Sequence, residues 1–114
     1  MPDSNSLQRH VVNWRAALIL PQNTTPQHGR AVEAGEQSVI VILPNEIKTG
    51  CECRVYLDIL DPSSGQNVYL DFRARITASS LVGQISQFRH VAQIIDIKAE
   101  QKAFLHDILS HLGR

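Results

Sequence analysis

The sequence predicts an all-β fold with one helix, in which six antiparallel strands close into a barrel and a C-terminal α-helix follows. Two alternating segments joined by turn formers, 51–60 and 68–77, predict a β-hairpin. Residues 97–112 have the apolar spacing of an amphipathic helix. Val39–Leu43 has no polar residue, so as a strand it is expected to be buried on both faces. An open sheet would leave one face uncovered, whereas a barrel with the helix on its open side covers both.

Size and composition indicate a single globular domain. The chain has 114 residues, of which 43% are hydrophobic and 19% charged. Its formal net charge is zero, so no nucleic-acid partner is predicted. No apolar run approaches the roughly 20 residues of a membrane span, and the polar N-terminus lacks a signal-peptide core. We therefore expect a cytoplasmic protein with a flexible tail, residues 1–8, and a folded domain, residues 9–114.

The first half of the chain predicts three strands. His10–Leu20 alternates, with Trp14 on the face that is expected to point inward. Residues 21–29 contain two prolines and predict a loop, and residues 30–33 predict a short strand. A polar turn, Glu33–Ser38, then leads into the aliphatic strand described above.

The predicted hairpin places its apolar side chains on one face and its charged ones on the other. The chain has two cysteines, Cys51 and Cys53, and both fall on the inward face of the first strand. Residues two apart in a strand are separated by about 7 Å, which is too far for an unstrained disulfide. Two cysteines are also too few for a cysteine-based metal site, so we expect free thiols.

The last part of the chain predicts a linker, a strand and the helix. Residues 79–87 are rich in Ser, Gly and Gln and predict the linker, and residues 88–95 predict the sixth strand. Asp96 is a candidate N-cap for the helix. The apolar stripe of the helix is expected to contain Ala103, Phe104, Leu105, Ile108, Leu109 and Leu112.

Three features occur in an order that is similar to a known family. An arginine precedes a first strand that carries Trp, in residues 9–14. The segment Gly29–Val32 leads through a turn into the aliphatic strand, and the final strand runs directly into a helix. Over residues 9–112 this order resembles the PilZ domain, a bacterial β-barrel module best known for binding cyclic di-GMP.

The resemblance implies a ligand site with two motifs, and this sequence departs from both. The family has two Arg ahead of the first strand, which hold phosphates and guanine edges. Here Arg9 matches the second, and Asn5 stands in place of the first. The family also has an Asp/Asn-x-Ser-x-x-Gly turn that reads a guanine. Here Glu33, Gly35 and Ser38 occupy its three defining positions.

The resemblance therefore implies a non-catalytic signalling or adaptor domain that binds a protein partner, with weak or no cyclic di-GMP binding. Each lost polar contact costs about 1–3 kcal/mol. The alternative is a true cyclic di-GMP receptor that uses Arg9, Arg15 or Arg30 with a remodelled Glu33–Ser38 turn. Arg15 alternates with Trp14 and is expected to point outward.

Nothing in the sequence supports an enzyme or a metal site. No serine has a His or Asp partner suggested by spacing, and no Gly-rich phosphate loop occurs, so we expect no cofactor. His106 and His111 are five residues apart, unlike the four of a helical metal-binding pair. The outward apolar residues Val11, Ala17 and Ile19 favour a dimer weakly.

Overall fold

The structure is a computed structural model that describes residues 9–112, so the expected tail, residues 1–8, lies outside the described residues. It confirms the predicted fold class. Six antiparallel strands form a closed barrel with neighbours in the order β1-β2-β3-β6-β5-β4, and β4 pairs with β1 to complete it. The elements are β1 His10–Leu20, β2 Asn23–Ala34, β3 Ser38–Leu43, β4 Glu52–Leu60, β5 Asn67–Val82, β6 Gln87–Asp96 and α1 Ala99–Leu112.

Strand β3 is buried on both faces, as its apolar sequence predicts. Val39, Val41 and Leu43 belong to the hydrophobic core inside the barrel. Ile40 points the other way and is also fully buried. An ion pair between Glu33 on β2 and Arg89 on β6 joins the two strands that flank β3, with 3.7 Å between Oε2 and Nη2.

The predicted loop over residues 21–29 is wrong, because β2 begins at Asn23. Between β1 and β2 the turn consists of Pro21 and Gln22. Pro26 fits in the strand because the β1–β2 register shifts between Leu18 and Leu20, next to it. At such an irregularity a proline removes no regular ladder hydrogen bond. A strand that contains a proline at a bulge near its end therefore has the same sequence pattern as a loop.

The predicted linker over residues 79–87 is also wrong. Strand β5 continues to Val82 and β6 begins at Gln87, so only four residues connect them. Ser79 and Ser80 pair with His90 and Arg89 across this extension. Most β5 residues of this extension are exposed, so its serine hydroxyls can bind water and need not be buried.

Helix α1 covers an opening in the barrel wall, as predicted. Residues 67–72 of β5 pair only with β4, because pairing with β6 begins at Arg73. Gln101 substitutes for the missing strand neighbour there. Its Oε1 accepts a hydrogen bond from the backbone N–H of Asp71 at 2.9 Å, and its Nε2 donates to Asp71 Oδ1 at 3.1 Å.

The helix begins at Ala99, later than predicted, and Asp96 ends β6 instead of capping the helix. Leu105, Ile108 and Leu109 are its buried residues. The predicted stripe is too wide, since Ala103 and Leu112 are exposed. A helix that fills an opening between strands contacts the core along a narrower face than one lying on a whole sheet. The described helix is not long and apolar enough to cross a membrane.

Both cysteines are free thiols, as expected. Burial, with a smaller contribution from the neighbouring Cys51, raises the pKa of the Cys53 thiol to about 12. Cys53 is therefore a thiol, not a thiolate, at neutral pH, and it packs as a small core residue.

Candidate functional site

The turn between β2 and β3 is shorter than the sequence suggests. Glu33 belongs to β2 and Ser38 begins β3, so the connection consists of residues 35–37. The backbone N–H of Gly35 donates to the carbonyl of Ser38 at 2.9 Å and closes the hairpin. Gly35 and Ser38 are both buried, and Ser38 has only 8% of its surface exposed. Two of the three motif positions are therefore part of the hairpin interior.

The acidic side chains at this turn already have partners. Glu33 pairs with Arg89, and Glu36 Oε2 lies 2.9 Å from Nδ1 of His106 on α1. The carbonyl of Gln37 accepts a hydrogen bond from the N–H of Ile94 at 2.8 Å. These contacts connect the turn to β6 and to the helix. The turn is thus fixed against the rest of the domain by its own side chains.

Arg9 lies beside the turn. It immediately precedes β1, whose first residue, His10, pairs with Ala34 at the end of β2. Arg9 is half-buried, and its Nε is buried without a hydrogen-bond partner among residues 9–112. The position expected for the first family arginine, Asn5, lies outside the described residues.

Arg15 and Arg30 lie apart from the turn. They are direct cross-strand partners in the β1–β2 ladder, well along both strands from the Val11–Glu33 pair. Both are exposed on the outer wall of the barrel, which confirms the outward direction expected for Arg15. The structure therefore divides the six candidate residues into four at the turn and two on the wall.

A groove of about 830 Å³ lies on this wall and contains both arginines. We call it the wall groove. Its lining comes from β1, β2, β4 and β5 and from the end of α1. Its polar residues are Asn13, Arg15, Arg30, Asp58 and Asn67, and its exposed apolar residues are Val11, Leu60, Tyr69 and Leu112. None of the four residues at the turn lines it.

The two arginines of the wall groove lack an acidic partner within the described part of the chain. Neither forms an ion pair with another residue of 9–112. Asp58 is opposite Arg15 in the β1–β4 ladder, but its Oδ1 accepts a hydrogen bond from Asn67 Nδ2 at 2.6 Å. Arg30 Nε donates to the neutral Asn13 Oδ1 at 2.6 Å. The groove thus presents two adjacent cations and one carboxylate, that of Asp58, so its side chains carry a net positive charge.

On the β4–β5 hairpin the same barrel pairs its outward arginines with carboxylates. On the predicted hairpin Arg54 binds Asp71 at 2.5 Å and Arg75 binds Glu52 at 2.6 Å. Hydrogen bonds from Arg54 and then Gln101 lower the pKa of Asp71, and Arg75 lowers the pKa of Glu52. These pairs agree with the cross-strand pairing expected for an exposed sheet face. The unpaired arginines of the wall groove contrast with them.

The wall groove also concentrates exposed apolar side chains. Val11 is 83% exposed, Tyr69 71%, Leu60 59% and Leu112 42%. Such clustering is typical of an interaction surface. The sequence identified Val11 as outward, but it did not bring these four residues together. They come from β1, β4, β5 and α1, so only the closed barrel makes them neighbours.

Comparisons with known proteins support the fold. No family model matches the sequence, and no curated protein matches it. A solved structure, that of the Bacillus subtilis inhibitor of motility (MotI/DgrA), is similar with a TM-score of 0.74 and 11% sequence identity. The similarity covers 90% of this chain and 48% of that protein, so the chain spans about half of its length. The domain is a six-stranded β-barrel of PilZ-like fold with one C-terminal helix.

Proposed function

We propose that this domain is a non-catalytic adaptor of bacterial signalling, located in the cytoplasm, that acts by binding a protein partner. The observation that carries the proposal is the state of the turn. Gly35 and Ser38 are buried in the hairpin, and Glu33 and Glu36 are engaged by Arg89 and His106. The wall groove holds two arginines that form no ion pair within residues 9–112. The name of the similar solved structure, an inhibitor of motility, is that of a regulator, which supports this class of function.

Cyclic di-GMP binding is expected to be weak or absent. The ligand carries two phosphates, and the turn brings Glu33 and Glu36 close to the place where the family reads a guanine. Of the arginines in the family pattern only Arg9 is present. Each lost polar contact costs about 1–3 kcal/mol, so two or three losses move a micromolar site to millimolar affinity or weaker.

Isothermal titration of cyclic di-GMP into the full chain at about 50 μM is therefore expected to give no saturable heat. A comparison variant restores two motif positions, Gly35→Ser with Ser38→Gly. Its titration tests whether the site can be rebuilt on this fold. Saturable binding by the wild-type chain that Arg9→Ala abolishes would contradict the adaptor proposal in its ligand-free form.

A second candidate function is a true cyclic di-GMP receptor that uses Arg9, Arg15 or Arg30 with a remodelled turn. The observation in its favour is the unmatched Arg15–Arg30 pair, because guanidinium groups bind phosphates bidentately. Binding that is lost in Arg30→Ala but kept in the control Arg75→Ala would support this receptor. Arg75 is an outward arginine on β5 that does not line the wall groove.

A further inference from the structure

We infer that the wall groove binds an acidic, amphipathic segment of a partner protein. In this arrangement carboxylates of the segment bind Arg15 and Arg30, and its aliphatic or aromatic side chains pack on Tyr69 and the apolar residues around it. The inference rests on the proposed adaptor function and deepens it by naming the surface and the chemistry of the partner.

Charge complementarity is the first argument. Arg15 and Arg30 are directly opposite in an antiparallel ladder, and like charges in that position repel each other. The nearest acidic residue in register, Asp58, is hydrogen-bonded to Asn67. A carboxylate that enters the groove would relieve the repulsion and accept hydrogen bonds from planar guanidinium groups.

Pre-organisation is the second argument. Arg30 is held by the hydrogen bond from its Nε to Asn13 Oδ1 at 2.6 Å. Its other guanidinium nitrogens have no acceptor among residues 9–112. An arginine that is already oriented loses less conformational entropy when it binds a carboxylate.

The apolar residues decide the class of occupant. A small anion would use the two arginines and leave Val11, Leu60, Tyr69 and Leu112 in water. A nucleic acid would meet a chain of zero net charge and would leave most of these apolar side chains without apolar partners. A protein segment that carries carboxylates and apolar side chains satisfies both parts of the groove at once.

A peptide selection tests the inference directly. A phage-displayed library of 12-residue peptides is selected on the full chain and counter-selected on the double variant Arg15→Glu/Arg30→Glu. We expect enrichment of sequences with at least two Asp or Glu next to Leu, Phe or Tyr. No enrichment after counter-selection, or enrichment of basic peptides, would overturn the inference.

Affinities of the selected peptides then locate the site. Fluorescence anisotropy is expected to show a loss of about tenfold or more for Arg30→Gln and for Tyr69→Ala. The control Arg75→Gln should bind as the wild type does. A peptide with Lys in place of its acidic residues should bind the Arg15→Glu/Arg30→Glu variant and not the wild type. Equal binding of the acidic peptide to every variant would refute the wall groove as its binding site.

Folding is checked by the melting temperature of each variant. Arg30→Glu alone replaces the repulsive cross-strand pair with Arg15 by an attractive one, and its other cross-strand neighbour, Ile42, is uncharged, so this variant should melt at or above the wild-type temperature while binding of acidic peptides is lost. A melting temperature well below that of the wild type would contradict the repulsion between Arg15 and Arg30 on which the charge argument depends.

Capture from native lysate separates this inference from the adaptor proposal. A stoichiometric partner captured equally by the wild type and by Arg15→Glu/Arg30→Glu would refute the wall groove as the binding site. It would leave the adaptor proposal intact. Absence of any captured partner together with a failed selection would refute both. A dimer in sedimentation that the double variant dissociates would instead identify a second copy of the chain as the occupant.

Discussion

Replacement of Gly29 by Ala is expected to destabilise the barrel by about 3 kcal/mol or more, at the upper end of the cost of overpacking. A Cβ at this position would overlap the backbone carbonyl oxygen of Ile42 and would lie 2.7 Å from Cδ2 of Leu43. The leucine side chain can turn away, but the carbonyl belongs to β3. Gly29 therefore permits β2 and β3 to approach closely next to the Arg30–Ile42 pair.

Relief of this clash would require β3 to move, and β3 also pairs with β6 along its whole length. We expect the cost to appear in urea unfolding followed by circular dichroism. Gly83→Ala is the matched control, because a Cβ there meets nothing within 4 Å. It should change the unfolding free energy by no more than about 0.5 kcal/mol. A Gly29→Ala variant with the wild-type midpoint would show that β2 and β3 are not so close.

The strands that alternate were predictable, and those with atypical composition were not. In β4 and in residues 68–77 of β5 the inward residues are apolar and most outward residues are polar, so the alternation predicts both the faces and the pairing. In residues 23–29 a proline and polar residues conceal a strand, because the chain there pairs at an irregularity and both faces are largely exposed. The extension of β5 and β6 was not predicted for a related reason: few of its residues are buried, so few need to be apolar.

The same distinction applies to the candidate site residues: local motifs were predictable, and long-range neighbours were not. A motif that is local in sequence, such as Glu33–Ser38, could be placed at its turn without the structure. The wall groove could not, because Arg15 meets Asp58 only through the pairing of β1 with β4 that closes the barrel. The exposure of Leu60 and Leu112 depends on the same closure and on where α1 ends. Long-range register, unlike periodicity, leaves no pattern in a single sequence.

Acidification is expected to weaken the domain through one buried histidine. His90 lies inside the barrel with no exposed surface, and its Nε2 accepts a hydrogen bond from the backbone N–H of Ile47 at 2.9 Å. The ring is therefore neutral, with its hydrogen on Nδ1. Burial lowers the pKa of His90, and the carbonyl of Val41 and the carboxylate of Glu46 oppose this only in part.

The sign of the effect follows from that direction. Because the folded pKa of His90 is below the usual value of 6.5, the unfolded chain binds the proton first as the pH falls. The free energy of unfolding should therefore decrease below about pH 6.5, by at most about 1.4 kcal/mol per pH unit from this residue. Protonation would also place a donor on Nε2 against the Ile47 N–H, which would release the loop between β3 and β4.

Urea unfolding of the wild type and of His90→Leu between about pH 5 and pH 7.5 measures this contribution. The variant loses the acceptor for Ile47, which costs about 1–3 kcal/mol at every pH, but its stability should depend less on pH below 6.5 than that of the wild type. The exposed His28, replaced by Gln, controls for the loss of a histidine elsewhere in the chain. Parallel pH profiles for wild type and His90→Leu would assign the acid sensitivity to other groups. A smaller slope in the variant would identify the buried imidazole as the group that connects the loop after β3 to the pH of the medium.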